Sequence, residues 1–254
     1  MKTVLVQFLD FIDHSRIGSK QERMQSFKKR REKNLQHLPN AGIDVLFSHD
    51  ISFLKQSGFY QENIHMFKHH RLCAYACWKP YIILDAMNKT QEGDVIFYYD
   101  CNYVDFSEVM YGKRQTLDQF TEMTLEKGHV FHATKYKERE YTKRDAFILM
   151  DCDSSRFYET PQVQSTWCSL VNNKHNKKFL KEWLSYSKDE RIITDQANTL
   201  GKDNYTGFTA HRHDQSIMSL MIKKYNYNYY VHPNKNIWTF LWALNRGDID
   251  LYKK

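Results

Sequence analysis

The stretch from Gly93 to Asn102, GDVIFYYDCN, narrows the possible folds of this chain more than any other. The apolar and aromatic run from Asp94 to Tyr99 reads as a strand with both faces buried, the kind carried by α/β sheets, and it ends on an acid followed by polar residues. In an open α/β sheet, ligands sit beyond the carboxyl ends of the strands. Asp100 therefore either faces a substrate or metal, or caps the turn that follows.

The rest of the first hundred residues repeats the strand–helix alternation. Thr3 to Phe8 reads as an opening strand, Lys20 to His37 as a polar helix, Asn40-Ala41-Gly42 as a turn and Ile43 to Phe47 as a second strand. Phe53 to Arg71 reads as loop and short helix, and Pro80 to Met87 as a helix with proline in its tolerated first turn. This βαβ pattern predicts α/β architecture with a mostly parallel central sheet flanked by helices, and a nucleotide side within about residues 1–110. Later elements are spaced less regularly. They are a helix over Thr116 to Glu126, a strand over His129 to Thr134, a short helix opened by Thr142-Lys143-Arg144-Asp145 and running through Ala146 to Met150 with Thr142 as cap, and helices over Asn173 to Tyr186 and Asp214 to Tyr225. The aromatic tail from Tyr225, YNYNYYVH and then IWTFLWAL, is expected to pack back on the core.

A single domain accounts for the whole chain. With 254 residues, 41% of them hydrophobic, it buries about three quarters of its unfolded surface, and its 9 Gly and 4 Pro form no linker. The five cysteines are an odd set without a second Cys/His pair at zinc spacing, so they read as reduced thiols. MKTVLVQFLDFIDH is too interrupted by polar residues for a signal peptide or membrane span, which predicts a cytoplasmic protein and makes the sequons at Asn88 and Asn204 chance matches. A net charge of +7 invites a polyanionic partner. The basic cluster from Lys28 to Lys33 reads as a solvated helix face or as peripheral contact with an anionic membrane, where each Lys or Arg contributes about 1 kcal/mol. Lys68, His69, His70 and Arg71 form a second patch.

Several short motifs could carry chemistry. Asp100-Cys101-Asn102 and Asp151-Cys152-Asp153 place two oxygen ligands at i and i+2, which suits Mg²⁺ or Mn²⁺. HRHDQS is more specific: His211, His213 and Asp214 precede a helix start, where an ionised carboxylate is favoured and could act as a general base. Equally, Asp214 could cap its helix with Ser216. His232 before Pro233 is a loop ligand or an ordinary polar residue. Trp78-Lys79-Pro80 and Lys143-Arg144-Asp145 carry positive charge into apolar surroundings, to pair with a phosphate or with a nearby acid.

Taken in order, CWKPYIILDAM, GDVIFYYDCN, YTKRDAFILMDCD, Gln164, the NKKFLKEWLSYSKDERIITD helix and GFTAHRHDQSI resemble a family of glycosyltransferase-like proteins of bacteria and large DNA viruses. Its members read WKPyii, GDiliYsDaG, WTKRD and HRHDQS. The resemblance runs from about Tyr75 to Tyr225 and implies a single GT-A-type, Rossmann-like domain, with a nucleotide-sugar half over about 1–110 and an acceptor half over about 111–254. It further implies Asp100 as ligand of Mn²⁺ or Mg²⁺, with Asn102 where many relatives carry a second carboxylate and His232 as a late metal ligand. Asp214 would be the acceptor base, with His211, His213 and Gln215 orienting it or the acceptor. Trp78, Lys79, Lys143, Arg144, Asp145, Asp153 and Gln164 would line the donor. Tyr141 replaces the usual Trp before TKRD.

The expected activity is sugar transfer from a nucleotide-diphosphate donor to a hydroxyl of a glycan or lipid-linked acceptor, with inversion and metal assistance. Two alternatives stand beside it. One is a nucleic-acid-binding protein or metal nuclease, suggested by the KKRREK run, although its basic residues lie far in sequence from the acids. The other is a sugar-binding relative without turnover, which Asn102 suggests.

Overall fold

The computed structural model describes residues 1–9, 25, 29, 32, 36, 42–69, 71–100, 114–231 and 250–251. Its strands are β1 (Thr3–Phe8), β2 (Val45–His49), β3 (Val95–Tyr99), β4 (His129–Val130), β5 (His132–Lys137), β6 (Pro161–Val163), β7 (Trp167–Val171), β8 (Tyr230–Val231) and β9 (Asp250–Leu251). The helices are α1 (Ile51–Gln56), α2 (Phe59–Glu62), α3 (Lys79–Lys89), α4 (Arg114–Lys127), α5 (Glu138–Tyr141), α6 (Arg144–Leu149), α7 (Ser155–Tyr158), α8 (Lys174–Ser187), α9 (Glu190–Ile193) and α10 (Asp214–Lys224).

The α/β class expected from the sequence is present. β1 lies between β2 and β3, parallel to both, with Val4 opposite Val45 on one side and Ile96 on the other. Acids lock the starts of these strands. Asp94 accepts the Lys2 N–H at 2.7 Å and the Gln91 N–H at 2.9 Å, while Asp44 accepts the Thr3 N–H at 2.7 Å. Gly93 takes the left-handed φ of +90° that this turn into β3 requires.

Beyond β3 the sheet differs from the expectation. β7 pairs antiparallel with β3 and β4 antiparallel with β7, giving the order β2-β1-β3-β7-β4. The sheet is therefore mixed rather than mostly parallel, because the WCSLV segment inserts as a reversed strand between β3 and β4. A second sheet has the order β6-β5-β8-β9. The strand expected over His129 to Thr134 is in fact two, broken at buried Phe131, and the chain changes sheets there. Alternation along the sequence carries no record of a change of partner.

Helix α8 begins at Asn173, whose side chain accepts the Asn176 N–H at 2.8 Å, and it turns Phe179, Leu180 and Trp183 into the core as its apolar stripe predicts. Such burial contributes about 1.5–3 kcal/mol for each large apolar side chain. α8 packs against α3 and α10, and these three helices cover the core around Trp78, which stacks on Phe8 with ring centroids 3.8 Å apart. Thr142 does not cap α6. Lys143 occupies that position, and the Thr142 hydroxyl donates instead to Glu138 Oε1 at 2.6 Å. Within the Lys28–Lys33 cluster only Lys29 and Glu32 are described, both helical and exposed. Asn102, His232, Asn40, Ala41 and His70 lie outside the described residues, as does the tail from His232 onward except Asp250 and Leu251; the described start of the tail packs on the core as expected, with Tyr227 and Tyr229 buried.

Candidate active site

The approach to α3 is unusual. Five consecutive non-glycine residues, Leu72 to Ala76, have φ between 48° and 64°, a single turn of left-handed helix. This hand costs roughly 1–2 kcal/mol per L-residue. The turn is nonetheless hydrogen-bonded: the Tyr75 N–H donates to the Arg71 carbonyl at 2.7 Å and the Ala76 N–H to the Leu72 carbonyl at 3.1 Å. Trp78 Nε1 donates back to the Cys73 carbonyl at 2.9 Å. Trp78 thus supports the turn from the core, and the next residue, Lys79, is fully buried at the first position of α3.

The Lys79 ammonium joins the two acids singled out in the sequence. Its Nζ is 2.6 Å from Asp214 Oδ2 and 3.2 Å from Asp100 Oδ1, and it also donates to the Ser165 hydroxyl and carbonyl at 3.3 and 3.2 Å. Ser165 in turn donates its hydroxyl proton to Asp214 Oδ2 at 2.6 Å. The Tyr98 hydroxyl donates to Asp100 Oδ1, and the Lys79 ammonium lies 5.1 Å from the centre of the Tyr98 ring. The Asp100 N–H donates to the Thr166 carbonyl at 2.8 Å, which extends the β3–β7 pairing into the loop that carries Ser165. Burial alone would drive Lys79 down, but the charges of Asp100 and Asp214 outweigh it and hold the ammonium above its usual range. Asp100 is pushed up to about 6 by burial, with Asp214 adding to the shift and Lys79 and Tyr98 opposing it. One cation shared by two buried carboxylates leaves a net negative charge at the end of β3.

Asp214 does not cap a helix. It is the first residue of α10, preceded by His213 at φ 51° and ψ −118°, and its carboxylate turns inward to Lys79 and Ser165. The neighbours expected to orient it bond with their side chains to other groups. His211 Nε2 is 2.8 Å from the Ile192 carbonyl and its Nδ1 accepts the Lys143 N–H at 3.3 Å. These partners assign the Nε2–H tautomer, and burial, helped by His213 and Lys143, keeps the ring well below its usual pKa and neutral. His213 Nε2 is 3.0 Å from Asp195 Oδ1, and Arg71 reaches Asp195 Oδ2 at 2.7 Å. Against burial, which acts upward, His213 and Arg71 hold Asp195 down to about 2. Gln215 donates to Gln162 Oε1 at 2.8 Å.

The residues expected to line the donor fall into two groups. Trp78, Lys79 and Gln164 lie at the Lys79 centre or beside it in sequence. Gln164, next to Ser165, pairs its side chain with His132 Nδ1. The others bind elsewhere. Lys143 donates to the Thr194 and Gln196 carbonyls at 2.9 and 3.2 Å. Asp145 accepts from the Thr199 N–H and hydroxyl and the Leu200 N–H at 2.6, 2.9 and 3.3 Å. Arg144 pairs with Asp153, Nε to Oδ1 at 2.8 Å and Nη2 to Oδ2 at 3.1 Å, while lying 3.9 Å over the Tyr205 ring. These bonds fasten the segment from Thr194 to Tyr205 to α6, and none of them reaches Asp100 or Asp214. The sequence reading did not single out Ser165, Tyr98 or Asp195. Tyr98 was legible, since residues two apart on a strand share a face; Ser165 and Asp195 carry no local signal. An open surface cleft lined by His65, Ser185, Lys188 and Glu190 shares no residue with the Lys79 centre.

The described part of the expected metal-binding set is one carboxylate, Asp100, since Asn102 and His232 lie outside the described residues. Its Oδ1 already receives protons from an ammonium and a phenol. By itself this one carboxylate does not supply the several oxygen ligands that Mg²⁺ or Mn²⁺ wants. Among the described residues no group of three or more His, Cys, Asp or Glu side chains converges to hold a metal. Comparison with family models, curated proteins and solved structures found no match to the chain.

Proposed function

We propose that the chain is a GT-A-type glycosyltransferase that moves a sugar from a nucleotide-diphosphate donor to a hydroxyl of a glycan or lipid-linked acceptor, with inversion. The observation that carries this reading is the buried Lys79 ammonium, which draws a strand-end acid and a helix-start acid into one centre. The parallel β2-β1-β3 portion would take the nucleotide, as open α/β sheets do at their carboxyl edge. Asp214 Oδ2 is spent on Lys79 and Ser165, and Oδ1 accepts no hydrogen bond from a described residue. Oδ1 is the atom assigned to the acceptor hydroxyl. As the acceptor oxygen bonds to the anomeric carbon, its proton passes to Oδ1, the bond from that carbon to the diphosphate oxygen breaks, and the diphosphate leaves with the electron pair. Lys79 supplies positive charge beside that leaving group, and Asp100 with Tyr98 holds the ammonium in place. No step is routed through a metal. The protein would work in the cytoplasm, docked on an anionic membrane face through Lys28–Lys33; no helix among the described residues is long and apolar enough to cross a membrane.

The test is release of nucleoside diphosphate from a panel of nucleotide sugars in the presence of simple glycan acceptors. Asp214→Asn should lower turnover at least 100-fold with the fold retained, the scale of a lost general base. Full activity in both Asp214→Asn and Asp100→Asn would refute the assignment. A second reading, donor binding without turnover, is favoured by the ion pair that occupies Asp214. Donor binding at 100 times its dissociation constant adds about 2.7 kcal/mol of stability under either reading, so turnover is what separates them.

A further inference from the structure

Arg212, two residues before Asp214, is a charged group that the centre above does not use. It lies face-on over Tyr141, with its guanidinium carbon 3.5 Å from the ring centre, and 5.4 Å from the centre of the Tyr136 ring. The two tyrosine rings pack edge to face with centroids 5.1 Å apart, so together they form a cradle. Arg212 Nη1 donates to Gln162 Oε1 at 3.3 Å, and the Arg212 N–H donates to the Tyr141 carbonyl at 3.1 Å. Gln162 is itself fixed, since its Nε2 donates to Glu138 Oε1 at 3.0 Å. Glu138 acts on Arg212 only from a distance, and its carboxylate is paired with Lys223.

The contrast with the other arginines is chemical. Arg71, Arg139 and Arg144 are also partly buried, and each faces a carboxylate: Asp195, Glu159 and Asp153. Arg144 even repeats the stack on a tyrosine. Among the described residues, Arg212 is in direct contact with neutral groups and has no carboxylate within ion-pair distance. A partly buried guanidinium loses hydration without regaining a counter-charge, and its planar fork matches an oxyanion in two-point contact. Burial accordingly holds it below the usual arginine range.

We propose that Arg212, stacked on Tyr141 and braced by Gln162, binds a phosphate group of a ligand that enters beside Asp214. This rests on the Arg212 cradle alone and holds whether or not Asp214 transfers a sugar. The phosphate could come from a nucleoside diphosphate or from a phosphorylated sugar, and the test separates them.

Calorimetric titration of the full chain with inorganic pyrophosphate, UDP and glucose 1-phosphate should show binding of at least one probe. Arg212→Gln should weaken that binding at least tenfold, and Arg212→Lys should restore only part of it, since an ammonium lacks the fork. Arg156→Gln, the same charge change at an exposed arginine, should leave it unchanged. Loss confined to pyrophosphate and UDP identifies the donor diphosphate as the source, and loss confined to glucose 1-phosphate identifies a phosphorylated acceptor. Should Arg212→Gln fail to fold, the unaltered protein still answers: the probe that binds must protect Arg212 from phenylglyoxal, read by mass spectrometry. The proposal is overturned if no probe binds at 10 mM, if Arg212→Gln binds like the unaltered protein, if Arg156→Gln loses as much, or if Arg212 is not protected.

Discussion

Replacing Lys79 with Met keeps most of the side-chain volume and removes its charge. In the native protein that charge is 2.6 Å from Asp214 and 3.2 Å from Asp100, and both carboxylates are at most 6% exposed. Removing one partner of a buried pair costs about 3–5 kcal/mol, because the other charge is left without compensation. Here two carboxylates lose the same cation, so a loss near 5 kcal/mol is expected at pH 7. A stranded carboxylate can escape by taking up a proton, and that makes the loss depend on pH. Asp100 already stands at about 6, raised first by burial and then by Asp214; without Lys79 it rises further. A carboxylate raised above its unfolded value of 3.8 destabilises the fold fully above its folded pKa and not at all below the unfolded one. In the native protein this site therefore gains stability as pH falls from 7 towards 4, by about 3 kcal/mol at 1.36 kcal/mol per unit.

Between pH 7 and 5 the native Asp100 collects about one unit of that gain, and an Asp100 shifted well above 7 collects about two. The deficit of Lys79→Met should thus shrink by about 1.4 kcal/mol over this range. Urea unfolding at pH 5, 6 and 7, with m-values compared, measures it. The double variant Lys79→Met/Asp100→Asn should be more stable than Lys79→Met at pH 7, since an amide has no charge to strand. A deficit below about 1 kcal/mol at pH 7, or one equal at pH 5 and 7, would refute the idea that this ammonium holds two buried carboxylates.

Three further outcomes are expected. Ala76→Gly should stabilise the protein by about 1 kcal/mol because Ala76 sits at φ 59°, whereas Ala86→Gly inside right-handed α3 should destabilise by about 1 kcal/mol or more; chemical denaturation reads the opposite signs. Lys223→Met should cost about 3–5 kcal/mol in the same assay by stranding the fully buried Glu138, with part recovered by adding Glu138→Gln. Binding of a nucleoside diphosphate, followed by calorimetry, should agree within about twofold between EDTA and added Mn²⁺ if Lys79 supplies the positive charge, and a tenfold gain with Mn²⁺ would overturn that role.

Much of the framework could be read locally. β1 coincides with the expected Thr3 to Phe8, and α3, α8 and α10 lie within about two residues of their apolar patterns, because each buries one continuous stripe or run. β7 went unread although Trp167, Cys168 and Leu170 are as buried as the residues of β3. A five-residue run with a serine at its centre has neither helical nor alternating period, and nothing local to it says that it will pair antiparallel with β3. Asp100 and Asp214 were legible as candidates, and for Asp214 the competing role of cap is displaced by bonds to Lys79 and Ser165. The bond that links Lys79 to Asp214 spans 135 residues, and no periodicity encodes such a contact. The TKRD block left two readings open for a related reason: charge beside apolar residues marks a buried pair as readily as a ligand site, and Arg144 is paired with Asp153.

The left-handed turn and the buried triad explain one another. Five residues from Leu72 to Ala76 carry roughly 5–10 kcal/mol of conformational cost at 1–2 kcal/mol each, a large share of what a domain has in reserve. A right-handed turn would avoid that cost, so something about where the chain must arrive favours the strained one. Trp78 stacked on Phe8 and bonded to the Cys73 carbonyl fixes the arrival point, and Lys79 Nζ then falls between Asp100 and Asp214. Without that ammonium the two acids would repel across a dry gap; without the acids, a fully buried lysine could not stay charged. Strain in the backbone is thus offset by electrostatics a few residues on. Such an arrangement persists only when its surroundings over-determine it, as they do where a protein binds or reacts with a ligand.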